Sequence, residues 1–439
     1  MDSKKDVFRY VLMGVFIALA VGAVIVFATF QGGGGSDDPR TLGPGQVVMW
    51  GVFDSRVTAE LLEEADGAVG GLEQVKYVEQ DKRTFYEDFL EATALGQGPD
   101  LIIVDQSTIY PLLDKITPLT FEQYPQQDYK NAFIEGTEVY LQNGVLAIPF
   151  AIDPLVMFWN RDMFTNAGVA QPPAFWDEFN SLSQQLTRID NNLNVLKSAV
   201  AFGEYRNVTN GKAVVSALLQ QVGTPITFWE DGELETAMRR SGSNDGSSSA
   251  IRFYTDFSNP SKTVYSWNRS LPSSRDQFVA GDLAIYFGFA SEASTLVRLN
   301  PNLNYDMVLF PQISDPNGRG QTLRKTYANI YAFVVPTTSR NKGGAFNVAR
   351  RLSSAGAQNV MSGKYGFAPV RRDSLAQPSS VTYWDVVYKS AIISRTWIDP
   401  NPAGSDRSLQ KMIENIQSGV DGISGSLKLA EDEIANYVR

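Results

Sequence analysis

The sequence predicts an α/β protein carried behind one membrane-spanning helix, and three observations lead there. Residues 11–30, VLMGVFIALAVGAVIVFATF, contain no charged side chain. From residue 46 onward, short β-rich apolar runs alternate with amphipathic helical ones. Residues 146–164, LAIPFAIDPLVMFWNRDMF, then set a carboxylate, Asp153, between two apolar runs of strand character.

As a helix, the twenty residues of 11–30 rise about 30 Å, the thickness of a bilayer core. Lys4, Lys5 and Arg9 precede the run, and Asp37 and Asp38 follow it. The positive-inside rule therefore directs the N-terminus to the cytoplasm and the bulk of the chain outside. No A-x-A site closes the run, which favours an uncleaved signal anchor over a signal peptide. The chain has no cysteine to carry a lipid. Residues 1–31 are thus expected to form a cytoplasmic stub and anchor, and residues 32–45, beginning GGGG, a flexible linker.

The 439 residues allow two or three domains, and 43% hydrophobic content suits sizeable cores. A net charge of −10 without any sustained basic stripe argues against a nucleic-acid partner. Cysteine and histidine are both absent. That removes disulfides, thiolate nucleophiles, the Ser-His-Asp triad and zinc sites of the usual ligands, and no cofactor or metal is expected. With no histidine, function is also expected to vary little between mildly acidic and neutral pH.

After the linker, residues 46–53 read as a strand, 58–67 as a helix ending in glycine, 73–80 as a second strand, 82–98 as a second helix and 99–106 as a third strand. Short connections between them indicate a parallel sheet, with a ligand crevice at the carboxyl ends of its strands. Trp50 and Asp54 close the first strand, Asp81 follows the second, and Asp105, Gln106 and Ser107 close the third. Helix capping is the competing role, strongest for Asp81 and Ser107. At Asp153-Pro154 the proline removes a backbone donor and is expected to break any continuous central strand, leaving Asp153 at a bend, either as a cap or as a ligand group. Further strands end at Pro311 and Pro336, and residues 419–425 have phosphate-loop glycines without the lysine, hence a turn.

Residues 146–164, followed in order by FVAGDLAIYFGFASE (278–292) and KYGFAPVRRD (364–373) and preceded by GPDLIIVD (98–105), resemble the extracellular solute-binding proteins of ABC importers, in particular the sugar-binding family that includes maltose-binding protein. The resemblance implies a two-lobed α/β periplasmic-binding-protein-like fold of type II, crossed near 150–154, 309–312 and 353–358. Lobe 1 would comprise 46–152 and 311–353, and lobe 2 would comprise 153–310 and 354–439. It further implies a monomeric, non-enzymatic receptor that captures a small solute, a carbohydrate, between the lobes and delivers it to permease subunits.

Carried over onto this chain, the implied ligand residues are Trp50, Asp54, Asp105, Gln106, Asp153, Glu204, Tyr205, Gly288, Phe289, Tyr327, Asn329 and Trp397; Trp159 is expected in the core. Where maltose-binding protein has a stacking tryptophan at the third strand, this chain has Ile-Val-Asp-Gln, which leaves the identity of the sugar open. Two other functions compete. One is a membrane-tethered ligand sensor. The other is a glycoside-processing enzyme using Asp105 and Asp153, which would need its two carboxyls about 5 to 9 Å apart.

Overall fold

The computed structural model describes residues 45–239, 246–314, 324–377 and 383–438. The expected stub, anchor and all but the end of the linker lie outside the described residues. Among the described residues, no helix is long and apolar enough to cross a membrane.

The strands are β1 (Val47–Gly51), β2 (Val75–Glu79), β3 (Leu101–Asp105), β4 (Ile148–Asn160), β5 (Arg188–Ile189), β6 (Val195–Val200), β7 (Ile226–Glu230), β8 (Glu233–Ala237), β9 (Leu283–Phe289), β10 (Tyr305–Val308), β11 (Thr326–Val334), β12 (Ala368–Pro369) and β13 (Ser394–Arg395). Their central path is β2-β1-β3-β11-β4-β9-β6-β5. Strand β4 is buried on both faces for nearly its whole length, which is why its sequence reads as one apolar run rather than an alternation.

Pro154 does not break β4, contrary to the local rule. The strand changes partners at that residue: 148–154 pair antiparallel with β11, and 155–159 pair antiparallel with β9. The donor that proline lacks therefore falls at a handover between two ladders. The carbonyl of Pro154 still accepts a 2.9 Å hydrogen bond from Ala290 N. One strand thus serves both lobes, and the hinge lies within it.

In lobe 1, β1 pairs in parallel with β2 and β3, and β11 runs antiparallel to β3. Helix α1 (Ser55–Val69) buries Leu61, Leu62 and Ala65, and α2 (Phe85–Ala94) buries Phe85 and Phe89. The short α3 (Gln106–Ile109) follows β3 directly. In lobe 2, β4 pairs with β9 and β10, and β9 pairs in parallel with β6. Helices α4 (Gly211–Gln221) and α5 (Glu292–Leu299) belong to this lobe. Its core is aromatic: Trp176 meets Phe310 at 5.1 Å and Phe202 meets Phe287 at 5.1 Å between centroids.

The third crossing lies later than expected. Helix α6 (Ala355–Tyr365) packs on α1, β12 pairs with the lobe 1 half of β4, and α7 (Trp384–Ile393) packs beside them. The small residues at 355–357, which lack a strong helical pattern, serve close approach: a Cβ on Gly356 would lie 3.3 Å from the Val69 side chain. The chain recrosses at β13, which pairs in parallel with the start of β11, and then builds α8 (Pro402–Ser418) and α9 (Ile423–Ala435) in lobe 2. Residues 355–369 therefore pack with lobe 1 elements, where the resemblance implies lobe 2.

Candidate ligand-binding cleft

A cleft of about 490 Å³ opens where the lobes meet. Its lobe 1 wall contains Lys82, Asp105, Gln106, Ser107 and Asn329, and Tyr327, at the start of β11, joins them while packing into the lobe 2 core. Asp105 ends β3 and caps α3, accepting from Ser107 N at 3.0 Å. Its Oδ1 takes that bond and the neighbouring hydroxyl bonds, and Oδ2 has no partner among the described residues. Gln106 is buried and fully used: Nε2 donates to Tyr327 Oη at 3.0 Å and to Asn329 Oδ1 at 3.2 Å, while Oε1 accepts from Ile330 N at 2.8 Å. This amide fastens the β3 loop to β11 and orients Asn329, whose Nδ2 stays free among the described residues. Burial pushes the Tyr327 phenol well above its ordinary range, so it remains protonated.

The lobe 2 wall is built around the start of α4. Tyr205 Oη donates to Asp406 Oδ1 at 2.7 Å, and Arg206 pairs with Glu414. Lys212 Nζ donates to Asp399, to Ser405 Oγ at 2.8 Å and to the Pro402 carbonyl at 3.1 Å, which uses all three of its hydrogens. Phe289 ends β9 half-buried, with its ring centroid 6.4 Å from that of Tyr327. Tyr205 and Tyr327 are each only 6% exposed, so Phe289 supplies the open aromatic face. Lys82 is exposed and has no ion pair among the described residues.

Residues 61–387 match the family described as bacterial extracellular solute-binding protein. The chain belongs to this family. The family is one of binding proteins rather than enzymes. Curated relatives described as binding proteins, from Brucella abortus (strain 2308) and Brucella suis biovar 1 (strain 1330), are each 22% identical over 305 residues, covering 68% of this chain and 69% of theirs. Among solved structures, the fold is similar to a cyclo/maltodextrin-binding protein complexed with maltotetraose, at TM-score 0.71 and 15% identity over 90% of this chain and 97% of that one. It is also similar to an ABC transporter solute-binding protein from Thermotoga lettingae TMO bound with α-D-tagatose, at TM-score 0.62 and 18% identity over 89% and 99%.

Six of the twelve residues implied for this solute-binding protein line the cleft together: Asp105, Gln106, Tyr205, Phe289, Tyr327 and Asn329. The other six lie elsewhere. Trp50 packs within β1 against the lobe 1 core, and Asp54 caps α1 through Val57 N at 3.0 Å. Glu204 is buried beside Arg269 at 3.4 Å, and burial raises its carboxyl above the ordinary range. Trp397 is 1% exposed in the lobe 2 core, its Nε1 donating to Ser216 Oγ at 3.0 Å. Gly288 is interior to β9.

Asp153 is 3% exposed at the hinge and accepts from Ser291 N at 3.1 Å and Ser291 Oγ at 2.6 Å. It does not line the cleft, so the carboxylate pair Asp105 and Asp153 is not assembled there. Trp159, expected in the core, is half-buried and packs edge-on against Phe164 at 5.0 Å.

Lys82, Arg206, Asn210, Lys212, Asp399, Asp406 and Gln410 also line the cleft and escaped the sequence reading. Arg206, Asn210 and Lys212 stand within seven positions of Tyr205 on the same loop and helix start, a proximity that could have found them. Asp399 and Asp406 carry no comparable signal, because only the packing of α8 against α4's loop brings them to the cleft.

Proposed function

We propose that this solute-binding protein captures a short saccharide in the cleft between its lobes and presents it to the permease of an ABC importer, outside a membrane to which residues 11–30 tether it. The observation that carries this is the composition of the cleft: one open ring, Phe289, among hydrogen-bonding groups contributed by both lobes. A pyranose stacks its apolar face on such a ring, while Asp105, Asp406 and Asn329 suit hydroxyls through charge-assisted and amide bonds. A volume of about 490 Å³ falls within the range of small-ligand sites, and a single open face favours few rings over a long chain. Both structural neighbours carry saccharides in their crystals, maltotetraose in one and α-D-tagatose in the other, which supports the same class.

The test is titration calorimetry against a panel of mono-, di- and trisaccharides, with amino acids and short peptides as controls. Saturable one-site binding to a short saccharide is expected. Binding only to the control compounds would overturn the carbohydrate assignment and leave the receptor role.

A further inference from the structure

Residues 289–292 are consecutive, and each makes a different connection. Phe289 offers its ring to the cleft. Ala290 N donates to the hinge carbonyl of Pro154, and Ser291 holds the hinge carboxylate of Asp153 through both its N and Oγ. Glu292 opens α5 and turns its carboxylate back on the strand it follows. Its Oε1 accepts from Phe289 N at 2.9 Å and from Asn210 Nδ2 at 2.8 Å, and its Oε2 accepts from Tyr286 Oη at 2.5 Å.

Asn210 stands at the N-cap position of α4 without capping it, its amide being committed to Glu292, Tyr286 and the Phe287 carbonyl. One carboxylate therefore binds the backbone that carries the open ring to the loop that forms the neighbouring wall. Gly288 makes the arrangement possible. A Cβ there would lie 2.6 Å from the Tyr286 ring, 3.1 Å from the Phe158 ring and 3.2 Å from Glu292 Oε1.

We infer that Glu292 is a positioning residue of the cleft, fixing Phe289 and Asn210 in mutual register and joining both to the hinge through Ser291, and that Gly288 serves the site by leaving room for the Tyr286 ring whose hydroxyl donates to that carboxylate. The inference rests on the cleft being the ligand site. Hydrogen bonds to a charged acceptor are the strong ones, so removing this one should loosen two segments far apart in sequence.

The test is amide hydrogen exchange in the ligand-free full chain, comparing wild type with Glu292→Ala, Glu292→Gln and Gly288→Ala. Exchange should accelerate about tenfold in Glu292→Ala at residues 287–291 and also at 208–213. Gly288→Ala should reproduce both changes. Glu292→Gln should restore protection, because its carbonyl still accepts from Phe289 N and Asn210 while its amide can donate to Tyr286 Oη. Acceleration confined to the segment around residue 292, or a Gln variant as exposed as the Ala variant, would overturn the inference.

If Glu292→Ala fails to fold, Asn210→Ala decides: it should speed exchange at 287–291, and unchanged exchange there would sink the linkage. A second arm uses maltotetraose and D-tagatose as probes. For either that wild type binds, Glu292→Ala should weaken affinity about tenfold and Glu292→Gln much less. Failure of wild type to bind either sugar counts against those two ligands only and leaves the exchange result standing.

Discussion

Asp153 in the hinge strand and Ser291 at the end of β9's extension are joined by two hydrogen bonds, of 3.1 Å from the amide and 2.6 Å from the hydroxyl. Even with both, burial dominates: the Asp153 carboxyl rises from the ordinary 3.8 to about 7, with the charge of Glu292 adding to the rise. A chain without histidine has thereby acquired a group that titrates near neutrality.

Between 3.8 and about 7 the folded state holds a proton on Asp153 that the unfolded state has released. This group's contribution to stability is complete below 3.8 and is lost as pH rises through about 7, by an amount on the order of 4 kcal/mol. Asp153→Asn should remove that dependence and be more stable than wild type at pH 8. Urea melts at pH 5 and pH 8 check this; parallel stability curves for the two proteins would refute it.

Phe289 and Trp397 should separate ligand contact from packing. Phe289 is half-buried at the cleft, so Phe289→Ala should weaken saccharide binding by about 1 to 2 kcal/mol with a smaller cost in stability. Trp397 is buried against α4, so Trp397→Ala should destabilise the fold by about 3 to 5 kcal/mol. Calorimetry and denaturant melts on both variants give the comparison, and a Trp397→Ala protein of normal stability but no affinity would return that residue to the binding site.

Much of lobe 1 was legible because its early strands and helices are short, alternate strictly and are closed by glycine or an acidic cap. Asp54 and Asp105 both read as strand-end acceptors. Which of them reaches the cleft depends on where β11 and α4's loop arrive, and those lie more than a hundred residues away. The continuity of β4 was hidden for a related reason. The rule that proline ends a central strand assumes one partner on each side, whereas β4 exchanges β11 for β9 at that residue. The third crossing was implied near 353–358 by the resemblance alone, and the small residues there serve helix contact with α1 instead.

Gln106 should behave as a structural member of the cleft. Removing its side chain leaves Ile330 N and the Tyr327 hydroxyl without their partner in a buried place. Gln106→Ala is expected to cost about 2 to 4 kcal/mol of stability and to weaken binding by releasing Asn329. Thermal melts and calorimetry measure the two effects. Unchanged stability would mean that the buried amide is replaced without loss.

The proposed anchoring can be tested apart from the cleft. Residues 11–30 are long enough to span, and burying them should make extraction require detergent, with the protein resisting carbonate and high salt. Mature protein beginning after residue 30 in a soluble fraction would replace the anchor with a cleaved leader.

Ligand binding should draw the lobes together. Asp105 and Asn329 belong to lobe 1, and Phe289 and Asp406 to lobe 2, so a solute that satisfies groups on both walls binds a closed form more tightly than an open one. Saturation at a hundredfold excess over Kd should add about 2.7 kcal/mol of stability by mass action and lower the radius of gyration. Asp406→Ala should forfeit part of both effects by removing an acceptor from one wall and freeing the Tyr205 hydroxyl. X-ray scattering with and without the saccharide found by calorimetry decides the point: an unchanged curve at saturation would exclude closure, even with the sugar bound in this cleft.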